Sequence, residues 1–454
     1  MTNNIDLGKG SIGKLILKLS IPTVAAQIVN MLYNVVDRMY IGNIPNEGVL
    51  ALTGLGLCFP IIMIVSAFAS LFGLGGAPRA AIAMGQDDNE QAELILGNAT
   101  MCLLLSGILL MITLLLFGKD LLYLFGASEA TIHYANDYLT LYTFGTLFVQ
   151  IALGLNLFIT TQGFTKISML TVLIGAILNI ILDPIFIFGF NMGVKGAALA
   201  TIISQFVSAT WVLFFLIGKQ TKLKIKINNL KIKPSVVIPI MALGVSPFIM
   251  SATESVLNIC FNVSLAKYGG DLAVGTMTIM SSLMTMTLLP VQGITQGTQP
   301  VISYNYGAKN YSRVRQAIKI QITVCTTVFV ILWLGMELFP SLFISIFNRD
   351  PELMTLAVPS LRIYMAGIFA LGIQTGCQMT FIALGYAKIS LFLACLRKII
   401  LLIPLIFILP NFFNDKVFAI FLAEPISDLV SASIAVFSFI ILIWNKPEFK
   451  SSNK

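Results

Sequence analysis

The chain has 454 residues, of which 57% are hydrophobic and only 11% charged. A soluble domain carries about 25% charged residues, so this composition cannot solvate a globular surface and excludes an ordinary soluble fold. The formal charge of +8 needs no nucleic acid to explain it, because basic loops beside a membrane meet anionic lipid.

Continuous apolar runs begin near residues 14, 49, 92, 131, 167, 195, 237, 271, 313, 354, 389 and 416. Each approaches the ~20 residues that cross a bilayer as a helix, which predicts twelve transmembrane helices. Their continuity separates them from the alternating strands of a barrel. Lys9, Lys14 and Lys18 lead straight into the first run, so no cleavable presequence is expected. Cys58, Cys102, Cys260, Cys325, Cys377 and Cys395 lie in or beside apolar runs without a C-x-x-C pair, the pattern of buried, inert thiols.

Polar residues inside these spans carry the information. In the first, Gln27, Asn30, Asn34 and Asp37 are spaced 3, 4 and 3, which places them on one helical face. His133, in "GASEATIHYANDYL" before the fourth span's core, reads as a solvated loop residue. In the fifth, Thr171, Gly175, Asn179 and Asp183 step by four, again one face. Pro184 follows directly and cannot donate to the carbonyl of Ile180, so that oxygen is either a further ligand or part of a kink. The seventh span aligns Ser251, Glu254 or Ser255, Asn258 and Asn262. Gln292, Gln296 and Gln299 mark the eighth, and Gln374 and Gln378 the tenth. With Met250, Met280, Met284 and Met286 nearby, they offer a polarizable wall for varied apolar cations, against the commoner use of methionine in packing. Asp428 lies in the twelfth span, in "AEPISD".

The chain also repeats itself. "GGAPRAAIAMG" (Gly75 to Gly85) returns as "GTQPVISYNYG" (Gly297 to Gly307), and "TQGFTKIS" (Thr161 to Ser168) returns as "ALGYAKIS" (Ala383 to Ser390) at the same offset. "LSIP" at Leu19 answers "GVSP" at Gly244, at nearly that offset again. The repeat divides the chain into a six-helix lobe over residues 1–218, a basic linker over 219–236 and a second six-helix lobe over 237–454. Six spans is an even number, so both lobes enter the membrane in the same sense. They are then related by a pseudo-twofold axis along the membrane normal, as in carriers that rock two bundles about a cleft. With the N-terminus inside, 21 of the 28 basic residues fall on the cytoplasmic side, among them Arg79, Arg397, Lys398 and Lys454. This bias places both termini in the cytoplasm.

Two readings compete for the polar stripes. Asn, Gln and Ser in spans commonly serve as interhelical hydrogen-bond glue, which suits Gln27, Asn30, Ser251 and Asn262. It suits Asp37 and Asp183 poorly, because no lysine or arginine sits deep in the first six spans. Such a pair holds a proton or binds a hard cation through carboxylate, amide and hydroxyl oxygens. In the repeat Asp37 becomes Asn262, and Asp183–Pro184 becomes Ile403–Pro404. The second half keeps the proline and loses both acids, as expected of an ion site confined to the first half. Its own acids, Glu254 and Asp428, have Arg362, Arg397 or Lys398 as prospective partners.

The duplicated six-span halves, Pro22 and Asp37 in the first span, "NIILDP", "GVKGAALAT" and "QGTQPVISYNYGAKN" together resemble the MATE (multidrug and toxic compound extrusion) transporters, in particular the bacterial MepA and DinF-like branch. The resemblance covers essentially the whole chain. It implies an all-α polytopic membrane protein, a V-shaped pair of six-helix bundles in a bacterial plasma membrane. Such a protein exports cationic or amphipathic organic compounds in exchange for inward Na+ or H+, needs no cofactor and functions as a monomer. It implies a cation site on Asp37, Asp183, Asn179, Thr201 and Asn156, with Na+ held at Asp37, Asn179 and Asp183. Sodium-coupled branches use a seventh-span glutamate, and Glu254 lies in that region. Asn34, Gln27, Asn258, Met250, Met284, Gln292, Gln296, Gln374 and Gln378 are candidates for the substrate cavity.

The alternatives are a major-facilitator carrier and a lipid-linked oligosaccharide flippase. The former usually carries a G-x-x-x-D-R-x-G-R-R motif after the second span, where this chain reads "GAPRAAIAMGQDDNE". The latter usually lines its cleft with basic residues, and the first-half spans offer none. No nucleophile site or metal cluster argues for an enzyme.

Overall fold

The computed structural model describes residues 5–45, 47–347 and 349–450; Lys454, counted above among the basic residues, lies outside them. In hydrocarbon a backbone must satisfy its own polar groups, and the described residues form helices throughout. In chain order they are α1 (Ile12–Gly42), α2 (Gly48–Gly85), α3 (Asn89–Leu124), α4 (Ile132–Thr161), α5 (Thr165–Pro184, running into a π-helical turn at Ile185–Gly189) and α6 (Val194–Ile217). One helical stretch, Pro234–Gly307, breaks at Gly270, whose φ of 62° is left-handed, into α7 (234–269) and α8 (271–307). Then come α9 (Tyr311–Leu338) and α10, built from Pro351–Tyr364 and Ile368–Ala383 with a bend of 43°. Two further spans complete the order, α11 (Ala387–Asn411) and α12 (Lys416–Trp444). Among the described residues, ten stretches are apolar and long enough to cross a bilayer; the break at Gly270 and the bent pair bring the total to twelve spans.

Each half has its own core. Leu103, Phe158 and Val212 centre one cluster of the first half, and Phe261, Phe329 and Phe421 one of the second. Two clusters also join the halves. Val236 and Ile240 of α7 pack with Leu71 and Phe72 of α2, and Leu15, Ile16 and Leu19 of α1 pack with Val301, Ile318 and Phe439. The halves therefore meet along α2/α7 and α1/α8, near the end that carries the termini.

That contact is made backbone to backbone. A Cβ on Gly244 would stand 1.7 Å from the carbonyl oxygen of Leu71, and one on Gly75 2.2 Å from that of Ile240. Thr23 Oγ1 donates to Gly293 O at 2.5 Å and Ser20 Oγ to Ile294 O at 3.3 Å. Farther along, Phe68 meets Phe248 edge-on at 5.1 Å and Gln27 Nε2 donates to Gln296 Oε1 at 3.2 Å. Beyond Gln27 no hydrogen bond joins the halves among the described residues. Leu32, Val35 and Met39 of α1 and Val256, Ile259 and Val263 of α7 are exposed there. The two lobes thus close at the terminus-bearing end and part toward the other.

Two segments reinforce the closed end. Arg313, opening α9, donates to Gly10 O at 2.7 Å and Lys9 O at 3.2 Å, and Asn305 Nδ2 to Leu7 O at 2.9 Å. The segment between the lobes is held on the first one: Gln162 Oε1 accepts from Thr221 Oγ1, Lys222 N and Leu223 N, all within 2.9 Å. Asn98 Oδ1 accepts from Lys233 N at 2.7 Å, and Glu93 pairs with Lys226.

Arg397 and Lys398 correct the charge count made from sequence. Their side chains are only 13% and 4% exposed, inside the second lobe rather than on a loop. They leave the basic loops and join the intramembrane acids. Gly244→Val forces α2 and α7 apart; overpacking of this kind costs about 1–3 kcal/mol. A lowered Tm of the detergent-solubilised protein, relative to Gly56→Val at an unobstructed position, is the expected outcome.

Candidate functional site

The first-half acids are brought together by three helices. α5 ends at Pro184, which cannot donate an amide hydrogen bond, and the backbone widens into the π turn. Gly196 lets α6 press on that turn, since a Cβ there would stand 2.7 Å from Phe186 C. One turn and a half later this approach delivers Thr201. Asn179 Nδ2 donates to Asp183 Oδ1 at 3.1 Å and reaches Thr201 Oγ1 at 3.4 Å. From α1, the Asp37 carboxyl comes within hydrogen-bonding reach of Asp183. Asp37, Asn179 and Asp183 are all buried, Asp183 completely.

Among the described residues, Arg38 is the one basic side chain whose charge reaches this cluster, at Asp37. Arg38, next to Asp37 in sequence, lies over the Phe59 ring at 5.4 Å, and no ion pair to either aspartate forms among the described residues. Three buried oxygens are left without a hydrogen-bond partner: Asp37 Oδ1, Asp183 Oδ2 and Asn179 Oδ1. Two carboxylates this close repel, and burial makes the repulsion costlier. Such an arrangement can hold a proton between the carboxyls or a small hard cation, for which carboxylate, amide and hydroxyl oxygens are the preferred ligands.

Sequence reasoning missed the aromatic surround. Tyr33, one turn before Asp37, and Tyr138 of α4 lie within electrostatic reach of the acids, and Tyr142 lies behind them beside Tyr33. Tyr138 and Tyr142 stack at 6.1 Å, and the Tyr138 hydroxyl is within hydrogen-bonding reach of Thr201. Their spacing of four was the available signal, in a helix whose aromatic content reads as packing.

Asn156 stands apart from this set. Its Nδ2 donates to Ser168 O at 3.2 Å, at the start of α5 and about four turns from Asp183. The same tie recurs at the equivalent position of the second half, where Gln378 Nε2 donates to Ser390 O at 2.8 Å. A bond present in both lobes anchors the first turn of α5 and of α11, and leaves Asn156 Oδ1, like Gln378 Oε1, buried without a hydrogen-bond partner.

In the second lobe Glu254 pairs with Lys398, whose Nζ also donates to Met250 O at 2.6 Å. Arg397 bridges Asp428 at 2.7 Å and Glu424 at 2.8 Å, and Glu424 was missed from sequence. Arg362 turns instead to Glu337 O at 3.2 Å.

The cavity candidates divide. Gln27 and Gln296 bond to one another where the lobes part, and Asn34 is exposed above them, its Nδ2 donating to Asn30 O at 2.6 Å. Asn258 accepts from Ser281 at 3.2 Å, while Met250 is half-buried and Gln292 exposed. Met284, Gln374 and Gln378 do not fit an open wall: all are buried, Met284 in the second-lobe core and Gln378 in its network with Ser246 and Ser390. His133 is 74% exposed beside Asp137.

The MatE family model matches residues 22–185 and again residues 247–408, one copy per half. The multidrug export protein MepA of Staphylococcus haemolyticus is 26% identical over 420 residues, 92% of each chain, and that of Staphylococcus aureus (strain N315) 25% identical over 428 residues, 94% of each. Among solved structures, a ligand complex of the MATE multidrug transporter DinF-BH superposes with a TM-score of 0.90 at 32% identity, over 99% of each chain. An outward-facing conformation of a multidrug resistance MATE family transporter gives 0.90 at 22% identity, over 100% of this chain and 99% of that one. The chain belongs to the MatE family, and the relatives it resembles are export transporters and not enzymes.

Asn156→Leu and Gln378→Leu each leave buried partners unpaired, at a cost of about 1–3 kcal/mol. Thermal unfolding in detergent is expected to show a similar loss for both, although only Asn156 lies in the lobe with the paired aspartates.

Proposed function

We propose that this chain exports cationic or amphipathic organic compounds across a bacterial plasma membrane in exchange for an inward coupling ion, with Asp37 and Asp183 as the coupling site. The observation that carries the reading is a buried, mutually close carboxyl pair with unpaired oxygens and no ion pair to a basic side chain among the described residues. Carboxyls within hydrogen-bonding reach favour one shared proton in this state; Na+ is the competing occupant, with Asn179 and Thr201 as further ligands. No cofactor takes part.

The conformation is read as outward-open, with both termini cytoplasmic. Lys222, Lys224, Lys226, Lys309 and Arg313 gather at the closed end, in keeping with the positive-inside rule, and anionic lipid headgroups are their expected neighbours. Loading the aspartate pair changes how α1, α5 and α6 pack and shifts the balance between outward- and inward-open states. It can shift that balance only as far as the ion's affinity differs between them. The cleft lies within one chain, so the monomer is the working unit. A flippase for pyrophosphate-linked glycans is disfavoured, because Arg397 and Lys398 are already committed to carboxylates.

In proteoliposomes, Asp183→Asn is expected to lower gradient-driven ethidium efflux by about tenfold or more, equivalent to ~1.4 kcal/mol of lost coupling. Full gradient-driven efflux by that variant overturns the assignment. Imposing a pH gradient alone, then a sodium gradient alone, identifies the ion: the shared-proton reading requires efflux under the first and none under the second.

A further inference from the structure

Charges inside the second lobe do not balance. Arg397 Nε donates to Asp428 Oδ1 and its Nη2 to Glu424 Oε1, so one guanidinium serves two carboxylates a helical turn apart on α12. Both are buried, and Asp428 Oδ2 has no partner. Beside them Lys398 is matched one to one with Glu254. Among the described residues, the charged and titratable groups that face the acid pair from the surrounding helices are Arg397 and Lys398 of α11, Glu254 of α7 and Tyr364 of α10. One negative charge is left over in a low-dielectric interior, where ions are paired or neutralised. The guanidinium already fills the space between the carboxylates, so a proton is the neutralising cation that fits.

The backbone there is irregular. Arg397 and Lys398 sit in the π-helical segment Leu396–Leu402, a type of irregularity frequent at functional sites. Pro425 interrupts α12 directly after Glu424, and Gly367, at the bend of α10, lies so close that a Cβ would stand 2.8 Å from Pro425 Cα and 3.0 Å from Asp428 Cβ. Exposure is also graded. The Glu254 side chain is 49% exposed and that of Lys398 only 4%. An exposed carboxylate on a membrane helix faces a water-filled space rather than hydrocarbon, so Glu254 opens to the cleft with Lys398 behind it.

We propose that Lys398 is a tethered counter-ion which a monovalent organic cation displaces from Glu254, and that the Glu424/Asp428 pair answers by releasing its proton. The displaced ammonium lies within the electrostatic reach of Glu424. The acid pair gives its proton to water and stands doubly anionic against Arg397 and Lys398, while the incoming cation neutralises Glu254. One organic cation enters as one proton leaves, and the net charge of the lobe is unchanged. The inference rests on the organic-cation substrate proposed above and adds a second exchange site in the lobe opposite the aspartate pair.

The test uses the full chain in weakly buffered detergent with a pH-indicating dye, carrying Asp37→Asn and Asp183→Asn to silence the first lobe. Ethidium titration is expected to release about one proton per cation bound, the linkage signature of coupled binding. Lys398→Gln in this background is expected to bind ethidium more tightly with no proton release. Glu424→Gln, which keeps the buried charges balanced and so protects folding, is expected to bind without release. Binding without release in the parent background, or undiminished release in either variant, overturns the proposal. So does ethidium binding by the unmodified chain that vanishes in the Asp37/Asp183 background, since the cation would then belong to the first lobe. If the unmodified chain binds no organic cation, the substrate reading itself fails.

Discussion

A helix in hydrocarbon has no water to fall back on, so every place where its hydrogen-bond ladder is interrupted must be compensated by protein. In this molecule several of the interruptions and the charges coincide. Asp183 precedes Pro184 and a π turn; Glu424 precedes Pro425; Arg397 and Lys398 sit within a π segment ahead of Pro404. A proline frees a carbonyl and a π turn loosens the register, and both create local polarity that an ionisable side chain can share. Asp183, Glu424, Arg397 and Lys398 are therefore placed at irregular backbone.

Duplication makes the division of labour visible. Asn156 and Gln378, equivalent positions of the two halves, fasten their helices by the same bond and belong to the shared scaffold. The charges do not follow the repeat. The first lobe gathers two acids without a base, and the second gathers three acids with two bases. Among the described residues, the first lobe's acids have no ion pair on their own chain, whereas the second lobe carries most of its counter-ions itself.

Much of the architecture was legible in the sequence. The twelve spans begin within about three residues of their expected starts, because long apolar runs leave little choice of structure. Asp37 and Asp183 stood out by the same logic, as charges whose cost had no visible compensation. What sequence hid was direction. Met284 and Gln378 look like cleft residues until helix packing turns them inward. Arg397 and Lys398 look interfacial because they lie only about three turns into α11. Tyr138 carries no signal that separates packing from a place beside the paired acids, and Glu424 went unremarked beside the more central Asp428.

The segment between the lobes has a consequence for their motion. It runs from Gly218 to Lys233 and reads as slack, yet Gln162 and Asn98 fasten it to the first lobe up to Lys233, and α7 begins at Pro234. A cord tied along its whole length gives no play. While those bonds hold, the covalent joint between the lobes is a single pivot at residues 233–234, and the arc through which they can swing is set there rather than by the length of chain joining them.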